Sequence, residues 1–201
     1  MSTIVERFKK IKSKIVSLNV NKPVNIIAVS KTFSIDYIQP LIDYGHLHFG
    51  ENKVQEAKSK WLELKKSNKN FKLHMVGKLQ TNKVKNALEI FDYIHSLDNQ
   101  RLADTLSKFQ QSLNKSLKYF IQVNIGNEMQ KSGIPPSELE SFFDYCTKEK
   151  KLKVIGLMVL PPNDNNTKKY FEKMRDLSNS LSLKELSMGM SADYLEAVHF
   201  N

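Results

Sequence analysis

The sequence predicts an α/β fold: a parallel sheet wound as a (β/α)8 TIM-type barrel, with one extra helix at the N-terminus. Three observations carry this. Short apolar segments alternate with amphipathic helical segments seven times along 201 residues. The apolar segments run without polar interruption, the pattern of strands covered on both faces in a parallel sheet. The length suits one sizeable domain, residues 1–201, and no linker, repeat or low-complexity tract divides it. An open doubly wound sheet fits the same alternation. Seven units behind a leading helix favour the barrel, but a closed barrel needs an eighth strand, so a barrel without strand 8 is expected.

The leading helix is marked by Ile4, Val5, Phe8, Ile11, Ile15, Val16 and Leu18 at helical spacing. VNIIAVS is the first strand, followed by a helical SIDYIQPLIDYG that is expected to bend or break near Pro40. LHFG leads to the long amphipathic ENKVQEAKSKWLELKKS, and LHMVG leads to TNKVKNALEIF. DYIHSL precedes NQRLADTLSKFQQSL, and LKYFIQVNI precedes PPSELESFFDYCTKEKK. KVIGLMVL is followed by NTKKYFEKMRDLSNSLS, and ELSMG by SADYLEAVHF. The longest irregular stretch, NIGNEMQKSGIPPSE, falls between a strand and a helix, where barrel enzymes place functional loops.

Composition narrows the classes. Apolar residues at 40% and charged residues at 26% are ordinary for a globular protein. No run approaches the roughly 20 apolar residues that span a bilayer. The N-terminal MSTIVERFKKIKSKIVSL has neither the apolar core nor the cleavage site of a secretory signal. A cytoplasmic protein with no membrane partner is expected. Cys146 has no second cysteine to pair with and no CxxC or histidine cluster around it, so it reads as a core thiol. Thirty-one Lys and Arg against 21 Asp and Glu give a net charge of +10. These lysines are scattered among helices in groups such as KKIKSK and KLKKSNK, which describes a solvated surface more than a nucleic-acid footprint. No nucleic-acid partner is expected; a basic binding module, the competing reading, would require steeply salt-dependent association.

In a parallel barrel the C-terminal ends of all strands share one mouth, so polar residues there meet although distant in sequence. Those residues are Lys31, the Gly50-Glu51-Asn52 turn, His74 and Gly77, Ser96 and Asp98, Asn124, Met158, and Ser187 to Ser191. They contain no Ser/His/Asp arrangement, no defensible carboxylate pair and no metal-ligand spacing. His74 in its apolar strand reads as a satisfied core histidine, and a metal at His46-x-His48 is disfavoured. Lys31 is the one well-placed amine, able to attack a carbonyl if desolvated. In SMGMSADYLEAV, Ser191 is a good N-cap with Asp193 in the first turn, and Gly189 lets an anion approach the backbone N–H groups. An amine and a phosphate-binding turn on one mouth suit an aldehyde that carries a phosphate. Pyridoxal 5′-phosphate (PLP) is one such molecule; a sugar phosphate held by an imine-forming aldolase is another.

AVSKT, HFGENKVQE, H-x-VGKLQTNK, QVNIG followed by KSG, GLM and SMGMSADYLEAV together resemble, in order and spacing, the PLP homeostasis proteins, single-domain relatives of the alanine racemase N-terminal barrel. The resemblance runs from about Asn25 to Val198. It implies that Lys31 carries PLP through an imine, and that Asn52, His74 and Met158 line the ring pocket. It further implies that Ser187 and the turn of Gly189, Met190 and Ser191 lie on the phosphate side, with Lys78 to Lys83 forming a surface loop beside the mouth. Members of this family bind and buffer PLP without robust catalysis, and PLP-dependent apo-enzymes are the implied recipients. A monomer and no metal are expected. A racemase would need a second base, which the family resemblance places on a separate domain, and is disfavoured. The family continues past the helix of Tyr194 into a strand of pattern Arg-x-Gly-(Thr/Ser)-Ala-Ile-Phe-Gly. Without it, the first and seventh strands are expected to have unpaired edges and the phosphate fewer donors.

Overall fold

The computed structural model describes residues 3–20, 22–67, 70–128, 130–164 and 166–200. The leading helix α1, Ile4–Ser17, begins at Thr3, which closes a capping box with Glu6: the Glu6 N–H donates to the Thr3 hydroxyl and the Thr3 N–H to the Glu6 carboxylate. Strands and helices then alternate: β1 Ala28–Val29, α2 Ile35–Asp43, β2 His48–Glu51, α3 Val54–Ser67, β3 Lys72–Met75, α4 Val84–Ile90, β4 Tyr93–Leu97, α5 Gln100–Ser112, β5 Lys118–Val123, α6 Leu139–Asp144, β6 Lys153–Val159, α7 Thr167–Ser180, β7 Glu185–Ser187 and α8 Tyr194–Val198.

The seven strands form one sheet in sequence order, and every neighbouring pair is parallel. This is the barrel-type α/β fold the alternation predicts, with seven strands among the described residues; β1 and β7 each pair on one side only. Helix α1 packs against both α2 and α8, the helices that follow the first and last strands, so the two ends of the curled sheet share a common neighbour.

The pleat sorts side chains to two faces. Phe49 of β2 turns outward, its ring centroid 4.7 Å from Trp61 of α3 and 6.1 Å from Phe71, and all three are buried. Gly50, His74, Tyr93, His95 and Phe120 take the opposite, interior side. Register pairs Gly50 with His74 and His74 with Tyr93, and His95 stacks on Phe120 at 4.3 Å. Both faces are covered, which is why these strands read as continuous apolar runs.

Two local expectations differ from the structure. The first strand, read as seven residues, pairs over only Ala28 and Val29, with one further bond from the Ser30 N–H to the Gly50 carbonyl. Among the described residues it has one neighbour, and apolar sequence alone cannot make a ladder without a partner strand. Helix α2 runs through Pro40 without breaking. Proline forfeits one N–H, but Ile38 and Leu41 on either side of it are buried in the apolar core and hold the segment helical. Cys146 is buried, in a single π-helical turn that extends α6 from Tyr145 to Glu149; burial pushes its thiol up to about 12.

At Gly156 on β6 an added Cβ would fall 2.1 Å from the Glu185 carbonyl oxygen of β7. Gly156→Ala is therefore expected to force β7 away and cost about 1–3 kcal/mol, read as a lower urea midpoint at unchanged m-value.

Candidate functional site

Lys31 follows β1 at the C-terminal end of the sheet. It stands in the turn between Ser30, whose hydroxyl donates to Glu51, and Phe33, whose N–H donates to the Ser30 carbonyl. Its backbone is pinned on both flanks. Ser30 is tied to β2, and at Thr32 the chain turns away at φ 65°, with its N–H donated to the Glu56 carboxylate and its hydroxyl to the Lys31 carbonyl. The Lys31 amine itself is exposed and bonded to nothing among the described residues. That sets it apart from Lys58, Lys60, Lys65, Lys131 and Lys150, each paired with a carboxylate.

The pinning comes from Glu51, which is fully buried. Its Oε1 accepts from the Ser30 hydroxyl at 2.7 Å, the Lys60 ammonium at 2.9 Å and the Trp61 indole N–H at 2.9 Å, while Lys60 also donates to the Ser30 carbonyl. One carboxylate oxygen thus joins β1, β2 and α3. Oε2 has no partner among the described residues. The sequence reading placed Glu51 at the shared mouth; the pleat places it behind the sheet as the anchor of the strand that bears Lys31.

The other predicted residues fall as follows. Asn52 follows β2 with its side chain unbonded among the described residues, and its backbone lies so close to Gly77 that a Cβ there would meet the Asn52 carbonyl at 2.4 Å. Met158 of β6 is buried on the interior side and in register with Ser187, the last residue of β7. Beyond it Gly189 adopts φ 86°, and a Cβ there would press on Ala197 at 2.8 Å. The N–H groups of Gly189, Ser191 and Ala192 donate to nothing among the described residues. Ser191 does not cap the last helix. The Met190 carbonyl takes the N–H groups of both Asp193 and Tyr194, so the turn runs on and Asp193 becomes the N-cap; its carboxylate accepts the Met190 N–H at 2.5 Å.

His74 is buried, as the apolar strand implies, but it is not alone. Its two ring nitrogens bond to His48 and His95, and its face stacks on Tyr93 at 4.2 Å. It can therefore offer a ligand its ring edge but no free nitrogen. Burial, then the neighbouring His95 and His48, lowers His74 to about 2; burial lowers His95 to about 3. Both rings are neutral. The sequence reading missed His48 and His95 as partners, although the signal stood in three successive strands, LHF, LHM and IHS. No group of three or more potential metal ligands is arranged around a common point among the described residues.

Two consequences are measurable. Glu51→Ala strands the buried Lys60 ammonium and the Trp61 N–H, and a loss of about 3–5 kcal/mol is expected in denaturant unfolding. In the unfolded chain His74 and His95 titrate near 6.5, so between pH 6.5 and about 3 the unfolded state binds more protons than the folded one. Stability therefore falls as pH falls, by roughly 1.4 kcal/mol per pH unit for each ring. Urea midpoints at pH 7 and pH 5 should differ accordingly, and a flat profile would contradict neutral burial of these rings.

Residues 3–201 match the family described as alanine racemase, N-terminal domain. The chain is 37% identical over 182 residues to the pyridoxal phosphate homeostasis protein of Aquifex aeolicus, covering 86% of this chain and 79% of that one. Its fold superposes on PipY of Synechococcus elongatus PCC7942, solved with PLP bound, at a TM-score of 0.80 and 34% identity, covering 94% of this chain and 92% of PipY. Alanine racemase of Clostridium difficile 630 shares the fold at a TM-score of 0.66 and 14% identity, over half of that longer chain. The chain belongs to the pyridoxal phosphate homeostasis protein family, within the alanine racemase N-terminal domain fold.

Proposed function

We propose that the protein holds pyridoxal 5′-phosphate at the mouth of the sheet, attached through Lys31, and serves PLP homeostasis in the cytoplasm as a monomer from which PLP-dependent apo-enzymes draw cofactor. The observation that carries this reading is the Lys31 amine: backbone fixed on both sides at the C-terminal end of β1, exposed and without a partner among the described residues. Its relatives bear the name of this function, and PipY has been solved with PLP bound.

The donor set suits the molecule. PLP supplies an electrophilic aldehyde and a phosphate. The hydroxyl of Ser187 and the unbonded N–H groups of Gly189, Ser191 and Ala192 are donors suited to phosphate oxygens. Asn52 brings an unpaired amide, Met158 an apolar thioether, and His74 its ring edge to the space between. Asp193 works against this set: its carboxylate already occupies the Met190 N–H, so an arriving phosphate meets a like charge beside the turn. Reversible holding follows from that opposition more readily than tight retention.

Holding rather than turnover is also what the proton chemistry supports. Racemisation needs a proton donor or acceptor on each side of the substrate carbon. Lys31 supplies one side. His74 and His95, imidazoles of the interior face, are neutral and bonded to each other, and their remaining nitrogens are bonded to His48 and Ser187, so none is free for a substrate.

Mixing the protein with PLP and reducing with borohydride should leave the pyridoxyl phosphate mass on the peptide that contains Lys31. Lys31→Ala should lose that increment and the accompanying absorbance band; undiminished PLP binding by the variant would refute the assignment. Turnover of an amino acid or a sugar phosphate well above that of free PLP, abolished in the same variant, would make the protein an enzyme instead.

A further inference from the structure

Three histidines on consecutive strands, His48 of β2, His74 of β3 and His95 of β4, are strung head to tail through the interior of the curled sheet. Nδ1 of His48 lies 3.0 Å from Nε2 of His74, and Nδ1 of His74 lies 2.9 Å from Nε2 of His95. Nδ1 of His95 lies 2.7 Å from Oγ of Ser187, across the sheet on β7. Every imidazole link has the same polarity, Nδ1 to Nε2. Stacking fixes the inner two rings in place, His74 on Tyr93 and His95 on Phe120.

A neutral imidazole carries one N–H and one bare nitrogen. Fixing the proton at one link therefore fixes it at all of them, and two arrangements satisfy the whole string. In the first, all three rings are protonated on Nδ1, and His95 donates to the Ser187 oxygen. In the second, all three are protonated on Nε2, and the Ser187 hydroxyl donates to His95. A mixed string would set two bare nitrogens or two N–H groups against each other in a buried site, at the cost of an unmade hydrogen bond.

We propose that Ser187, His95, His74 and His48 form a proton relay that couples the seating of a phosphate at the mouth to the nitrogen of His48 that bears the proton at the far end. The inference rests on the PLP reading of the mouth. An unprotonated phosphate oxygen can only accept, so Ser187 must present its O–H to it. That leaves the Ser187 oxygen as acceptor for His95, which selects the arrangement with every ring protonated on Nδ1. If the string begins in the other arrangement, one proton enters at Ser187 from water or the ligand's own P–OH, each ring passes one proton along, and one proton leaves Nε2 of His48. The charge of the three rings is unchanged.

The far end is placed to release it. His48 lines a cavity of about 630 Å3 between α1, the segment that leads into β1, and the turn before β2, with Phe8, Lys12, Ile15 and His46 also on its wall. The charges that act on His48 are those of Lys72 on β3, Asp92 ahead of β4 and Lys118 on β5; those that act on the adjoining His74 include Lys65 of α3. His46 stands outside the relay: its Nε2–H donates to the His48 carbonyl at 2.8 Å.

The test uses the full chain labelled with 15N-histidine, titrated with 4-deoxypyridoxine 5′-phosphate, a PLP analogue without the aldehyde, so that no chemistry at Lys31 enters. Ring 15N shifts report which nitrogen bears the proton. The expected result is Nε2–H for His48, His74 and His95 in the free protein, the tautomer neutral histidine ordinarily prefers, and Nδ1–H for all three in the complex, while His46 stays Nε2–H. In Ser187→Ala the switch should be lost. Rings that keep their tautomers on binding, that change independently of one another, or that switch equally in Ser187→Ala would overturn the relay; if that variant fails to fold, the titration of the parent protein decides alone. PLP added to the parent in parallel separates the two readings. A normal adduct on Lys31 with unswitched rings removes only the relay, whereas no adduct removes the PLP reading and the relay with it.

Discussion

A single buried carboxylate oxygen determines whether this sheet has a first strand at all. Strand β1 is two residues long and, among the described residues, has β2 as its one neighbour, so its ladder bonds alone would hold it poorly. Oε1 of Glu51 gathers the Ser30 hydroxyl, the Lys60 ammonium and the Trp61 indole and so clamps the end of β1 between β2 and α3. A buried ion pair is weak evidence for stability in general, because desolvation offsets most of the attraction. Here its value is positional: three donors from three elements converge on one atom, and the residue after Ser30 is Lys31.

The two sides of the pleat divide the work. Facing the helices, Phe49, Trp61 and Phe71 form an apolar layer with Glu51 at its upper edge. Facing the interior, the sheet carries imidazoles and the rings of Tyr93 and Phe120 where branched aliphatics commonly fill a barrel. Buried polar rings are costly unless every nitrogen is satisfied. The string from His48 to Ser187 satisfies them pairwise, and stacking with Tyr93 and Phe120 fills the volume that aliphatics would otherwise take.

Much of the fold was legible because parallel strands covered on both faces leave an unmistakable apolar signature, and β2 to β7 lie where LHFG, LHMVG, DYIHSL, LKYFIQVNI, KVIGLMVL and ELSMG stand. The length of β1 was not legible, since VNIIAVS has strand composition throughout and only a second neighbour could extend its pairing. Pro40 does not interrupt α2, because propensity is local and the burial of Ile38 and Leu41 is not. At the site, Lys31, Asn52, Met158 and Ser187 could be read from strand ends. The true cap of α8 could not: Ser191 and Asp193 are both good capping residues, and the hydrogen bonds of the Met190 carbonyl decide between them. The histidine string escaped notice for a geometric reason. Strand stagger, which the sequence does not display, brings His48, His74, His95 and Ser187 into one line although 26, 21 and 92 positions separate successive members.

The buried Cys146 matters for chemical selectivity. A protein that handles a reactive aldehyde is at risk from its own soft nucleophiles, because a thiolate adds to aldehydes and can divert the cargo into a dead-end thiohemiacetal. Here the lone thiol sits in the helix layer at zero exposure, and burial holds it protonated far above neutral pH. Sulfur is thereby removed from competition, and the contest for the carbonyl is left to amines, among which the geometry of the mouth can discriminate.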